Sequence, residues 1–126
     1  MRELKFRAWY KSNNTMIQPD KLESINFETK TVGVYMPIEN RGFQKLRLSD
    51  FEVMQFTGLK DKNGVDVYEG DIFEAPHDFG PGGFDKRRAV VKFHETKGYQ
   101  WEYWLLEELE VIGNILEHPH LLTKSE

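Results

Sequence analysis

Four histidines, His77, His94, His118 and His120, are the side chains of this chain best suited to hold a metal or move a proton near neutral pH. Their spacing forms no ligand motif: His118 and His120 flank Pro119, which fixes the backbone, and no nearby carboxylate completes a set. The Asp/Asn-rich run Asp61-Lys62-Asn63-Gly64-Val65-Asp66 invites comparison with a calcium loop. Such a loop needs glycine sixth and glutamate twelfth, whereas here glycine is fourth and the twelfth residue is Ile72. It reads as a hairpin turn, with Asn63-Gly64 tolerating positive φ at both central positions. Backbone amides around Gly80-Pro81-Gly82-Gly83, with Lys86, Arg87 and Arg88 downstream, could meet an anion, but the loop lacks the lysine and hydroxyl of a nucleotide-phosphate loop. Ser12, Ser24 and Ser49 stand outside any nucleophile elbow. Glu69 and Asp71 need a pocket before they could do acid–base work. No catalytic residue, metal ligand or cofactor is expected from these patterns.

The wider composition narrows the class. The chain has 126 residues and no cysteine, which removes a disulfide framework, a thiolate zinc site and a cysteine nucleophile together. No stretch approaches the roughly eighteen apolar residues of a membrane helix. Met1-Arg2-Glu3-Leu4-Lys5 is charged where a signal peptide needs an apolar run, so a cytoplasmic location is expected, with no membrane partner. Charge is uneven. Residues 1–50 hold nine Lys/Arg against six Asp/Glu, a net of +3; residues 51–126 hold eight against fifteen, a net of −7. Such asymmetry can mark a nucleic-acid face or a self-complementary contact, though scatter over a solvated surface is the plainer account.

The elements that must position these residues are β-like. Leu4, Phe6 and Ala8 alternate with Lys5, Arg7 and Trp9, which predicts a first strand. Ser24–Phe27 and Thr31–Met36 predict a hairpin across Glu28-Thr29-Lys30, and Asn40-Arg41-Gly42 a break. Ser49 could cap a helical turn. Val53–Thr57 reads as a strand ended by Gly58, and Gly70-Asp71 as a bend before Ile72-Phe73. Pro76 to Asp85, with three Gly and two Pro, predicts a mobile surface loop. Arg88–Phe93, Tyr99–Leu106 and Val111–Ile115 predict further strands, with a possible helical turn at Leu105–Leu109. The expectation is one mainly β domain over residues 1–122, an antiparallel pseudo-barrel with one or two short helical turns, and a frayed tail over 123–126.

Three blocks carry a resemblance. They are Arg2-Glu3-Leu4-Lys5-Phe6-Arg7-Ala8-Trp9, the linked run Thr57-Gly58-Leu59-Lys60-Asp61-Lys62-Asn63-Gly64 with Tyr68-Glu69-Gly70-Asp71-Ile72, and Ile112-Gly113-Asn114-Ile115. Together the sequence resembles the YopX family of phage and prophage proteins; Tyr10 departs from a pattern in which an acidic residue is common. The resemblance implies a mainly β pseudo-barrel and brings no assigned activity, cofactor or catalytic residue.

The leading functional expectation is a non-enzymatic accessory protein of a phage or prophage, an interaction module for an unidentified phage or host protein or for its own copies. Leu59, Lys60, Tyr68 and Asp71 are the candidate partner surface, set against a purely structural role in which Asp71 accepts backbone amides across its bend. The alternative is nucleic-acid binding through Arg7, Lys86, Arg87 and Arg88 in phage replication or regulation. A third reading is an enzyme whose site, around His77 or His94, assembles only in three dimensions. Seventeen aromatics in so short a chain (Trp 3, Tyr 5, Phe 9) are expected to exceed what one core buries and to leave a patch for a symmetric partner.

Overall fold

Short β-branched and aromatic runs between glycine and asparagine turns build a mainly β chain, with antiparallel ladders and only 3-10 turns between them among the described residues. The structure, a computed structural model, describes residues 4–36 and 42–122. The expected break at Asn40-Arg41 and the tail 123–126 lie outside the described residues. The chain divides into two compact units, Leu4–Gln55 and a second one built from Phe56 onward.

In the first unit, β1 (Phe6–Tyr10) lies between β2 (Thr15–Ile17) and the start of β6 (Phe51–Lys60), with Ala8 opposite both Ile17 and Val53. A second sheet has β4 (Thr31–Met36) between β3 (Leu22–Asn26) and β5 (Gly42–Arg47). The β3–β4 hairpin forms as the sequence predicts. Its turn is closed by Asn26, whose Oδ1 accepts from the amides of Glu28 and Thr29 at 3.0 Å each. Ala8, Ile17, Val32, Val34, Met36 and Phe51 make the core of this unit. Alternation along β1 fails, however: Arg7, Ala8 and Trp9 are all buried. A strand covered on both faces need not alternate. Ser49 caps nothing; the 3-10 turn runs Leu48–Asp50 without a side-chain cap.

In the second unit, β6 does not end at Gly58. It continues to Lys60 through an irregularity between Phe56 and Lys60, where Gly58 takes φ +94. Its partner there is β7 (Asp66–Tyr68). The loop between them is wider than the expected tight turn, since Gly64 alone of the Asn63-Gly64 pair has positive φ (+82). The central strand is β8 (Asp71–Asp78), flanked by β9 (Phe84–Val90) and β12 (Glu110–Asn114). So the expected loop over Pro76 to Asp85 is mostly hairpin, with a 3-10 turn at Gly80–Gly82. Pro76 is tolerated because Leu105 N–H donates to its carbonyl at 3.0 Å. In an extended strand a residue's N–H and C=O point to one side, so the missing N–H falls away from the β9 ladder.

Tyr99–Leu106 is not a strand either. At its start β11 (Gly98–Tyr99) pairs with β10 (Phe93–His94); Tyr103 then takes φ +71, Trp104 makes an isolated bridge to His77, and a 3-10 turn follows at Leu106–Glu108. Bulky aromatics here serve packing, not pleating. Val67, Phe73, Ala75, Val91 and Leu109 form this unit's core, with Tyr99, Trp101 and Trp104 packed against it.

Candidate interaction surfaces

The block Thr57–Ile72 is held by three polar side chains that meet backbone groups. Thr57 Oγ1 donates to Val67 O at 2.8 Å and accepts from Leu59 N–H at 3.2 Å, fixing β6 at its irregularity. Asp61 is buried and accepts from three amides: Asn63 at 2.8 Å, Val65 at 2.9 Å and Val111 at 3.0 Å. Burial alone would raise the Asp61 carboxyl, but those three bonds and the Lys62 charge outweigh it and hold it below the usual carboxylate value. Asp71, only 1% exposed, accepts from Tyr68 N–H at 2.7 Å across the Gly70 bend. Of the four candidate surface residues, Tyr68 and Asp71 are therefore buried, with the Tyr68 ring 5.6 Å from that of Phe56. Leu59 is half-buried beside the core, and Lys60 lies exposed against Asp66 at 2.6 Å. Asp61 is the residue that sequence reasoning passed over as a turn former.

A second polar hub closes the Ile112-Gly113-Asn114-Ile115 block. Asn114 Oδ1 accepts from the amides of Leu116 (3.0 Å) and Glu117 (2.8 Å), while its own N–H donates to His118 Nδ1 at 3.2 Å. Gly113 makes room for this, since a Cβ there would come within 2.7 Å of His118 Nδ1. His118 thus serves a turn. Among the described residues no group of three or more His, Asp or Glu side chains is arranged to hold a metal ion.

The four candidate nucleic-acid cations differ in exposure and in the strand face they occupy. Arg7 is in the first unit, buried, with Nε donating to Met54 Sδ at 3.4 Å. Along β9, strand alternation sends Arg87 to one face and Lys86 and Arg88 to the other. Glu74 meets both of the latter, Arg88 at 3.1 Å and Lys86 at 4.0 Å, and Arg88 also donates to Leu121 O at 3.0 Å. Arg87 lies beside Asp85 at 3.4 Å, its guanidinium 5.0 Å from the Phe79 ring centre.

An aromatic row runs along the Arg87 face. Phe73 meets Trp104 at 4.8 Å, Trp104 meets His77 at 4.6 Å, and His77 meets Phe79 at 4.7 Å between ring centres. His77 Nδ1 is buried in this row without a hydrogen bond. The His77→Phe variant is expected to be as stable as the parent or up to about 1 kcal/mol more stable, because it removes an unsatisfied polar atom and keeps a planar ring. Urea unfolding of the two proteins checks this, and a clear loss of stability would assign the imidazole a polar contact.

In the first unit, β4 and β5 present a different face. Tyr35 and Phe43 sit directly opposite each other, their rings 5.3 Å apart, and are 46% and 45% exposed. Lys45 and Arg47 follow Phe43 at two-residue steps and so share its side of the sheet. Gly33 lies between them, opposite Lys45, where a Cβ would come within 3.2 Å of the Phe43 ring, 2.8 Å of Ser24 Oγ and 2.7 Å of Glu23 Oε1. Sequence reasoning did not single out this cluster. Its signal was the alternation Phe43-Gln44-Lys45-Leu46-Arg47, apolar or amide on one side and aromatic–cationic on the other.

These features define a mainly β, antiparallel protein whose polar turn residues hold its own backbone and whose aromatic and basic side chains share exposed strand faces. The chain belongs to the YopX family: the family model described as YopX protein matches residues 5–123, as the three sequence blocks imply. Its fold is similar to that in the crystal structure of protein EF1440 from Enterococcus faecalis, with a TM-score of 0.65 and 23% identity over 98% of this chain and 100% of that one. At that identity the likeness is one of fold. Comparison with the curated proteins finds no match. No helix among the described residues is long and apolar enough to cross a membrane.

Proposed function

We propose that this YopX-family chain is a phage- or prophage-encoded accessory protein of the bacterial cytoplasm that acts by binding a partner and catalyses no reaction. The observation that carries this reading is the Tyr35–Phe43 pair. Two large rings keep nearly half their surface in solvent beside Lys45 and Arg47. Their apolar area is the kind that contact with a partner removes from water.

Chemical-shift mapping against fractionated extract of phage-infected cells tests it. The expected result is movement of the Tyr35, Phe43 and Lys45 amides, abolished in Phe43→Ala. Turnover of a metabolite by the purified protein, or shifts confined to other residues, overturns the reading.

A further inference from the structure

We propose that the exposed face of β4 and β5 binds single-stranded nucleic acid, its bases stacking on Tyr35 and Phe43 and its phosphates passing over Lys45 and Arg47. This names the ligand of the surface just described and rests on the binding-module reading.

Three observations carry it. The first is the aromatic pair itself. Rings standing on a sheet face, half in solvent, offer π-faces that every base can use, which is how sequence-tolerant strand binders hold their ligand. The second is charge. Lys45 makes no ion pair among the described residues, and the Arg47 side chain is 80% exposed although Asp50 holds it at 3.2 Å. Both cations belong to the half of the sequence with net charge +3, in a chain that is acidic as a whole. The basic side chains of β9 lie in the acidic half and face Glu74 or Asp85. A polyanion is therefore better matched to β5 than to β9.

The third observation is the asymmetry of the face. The Glu23 carboxylate stands near Gly33, on the β3 side of the sheet, where it repels a phosphate. The cations stand on β5. That arrangement runs the phosphate backbone along β5 and turns the bases inward over β4, toward Tyr35. A duplex, with its bases stacked inside, cannot offer them to the rings.

Fluorescence anisotropy with the full chain, a labelled oligo-dT, an oligo-rU and a duplex of equal length tests the proposal. Single strands are expected to bind more tightly than the duplex, with affinity falling as salt rises. Tyr35→Ala and Phe43→Ala should each weaken binding about tenfold, and Phe43→Tyr should retain it. Lys45→Gln, an exposed change that leaves the core intact, should reduce the slope of log K against log salt by about 0.7. Thermal melts establish that each variant is folded. Three results overturn the proposal: no binding of either oligonucleotide at low salt, equal or tighter binding of duplex, or loss of binding on changing Arg87 and Arg88 with Tyr35 and Phe43 indifferent. An acidic peptide that shifts Tyr35 and Phe43 while oligonucleotides do not would likewise overturn it and leave the binding-module reading standing. That reading falls by the turnover and shift-mapping outcomes given above.

Discussion

Replacing Asp61 by Ala is expected to lower the unfolding free energy by about 3–4 kcal/mol, because three amides lose a charged acceptor in one step. Asn63, Val65 and Val111 all donate to this one carboxylate, and the residue is only 6% exposed. Asp61→Asn should cost less, about 2 kcal/mol: one oxygen still accepts, but the amide NH2 confronts a donor. The pH dependence gives a second readout. The folded carboxyl titrates below the ordinary aspartate value, so the unfolded chain takes up the proton first as acid is added. The contribution of Asp61 is complete above about pH 5 and is lost as pH falls from there through the lower folded value. Urea midpoints between pH 6 and pH 2.5 should fall less steeply for Asp61→Asn than for the parent. Parallel acid limbs in the two proteins would refute this account of Asp61.

Asp71→Ala is expected to cost about 2–3 kcal/mol and lower Tm by roughly 10 °C. The side chain is almost wholly enclosed, and its Oδ2 receives the Tyr68 amide. Truncation leaves that amide unpaired and a small void in the bend at Gly70. Faster hydrogen exchange at the Tyr68 amide should accompany the loss. This experiment separates the two roles weighed for Asp71. Unchanged stability with loss of a binding partner would move it from an internal brace to a contact surface, and a large Tm fall places it inside.

How far the sequence could be read depended on how local each determinant is. The β3–β4 hairpin was legible because β-branched runs and the Asn26 turn lie within fifteen residues of one another. The bend at Gly70-Asp71 was legible for the same reason. The Pro76–Asp85 segment was not. Its glycine and proline content argues for a loop, yet Pro76–Asp78 pair with Phe84–Lys86 in the β8–β9 hairpin, and Trp104 and Leu105, far along the chain, bond to their other side. Tyr99–Leu106 failed in the opposite direction. Its aromatics look like strand formers, but Trp101 and Trp104 are committed to packing on Phe73, which turns demanded by the core accomplish better than a flat pleat.

The candidate sites divide in the same way. Lys86-Arg87-Arg88 reads as one basic run until the strand pleat splits it and Glu74 takes two of the three. The Tyr35–Phe43 face needed two strands to be brought into register before its aromatics and cations met.

By itself, the sequence determined the β class, the family, the exclusion of cysteine chemistry and the turns whose signals span a few residues. Those follow from side-chain type and two-residue periodicity, which act within a strand or a hairpin. Only the tertiary structure decided that Asp61 would reach an amide fifty residues away at Val111, that Arg7 would be buried, and that Tyr35 would face solvent beside Phe43. Those outcomes depend on which strand lies next to which, and strand neighbours are chosen by the collective burial of the core, not by any segment alone.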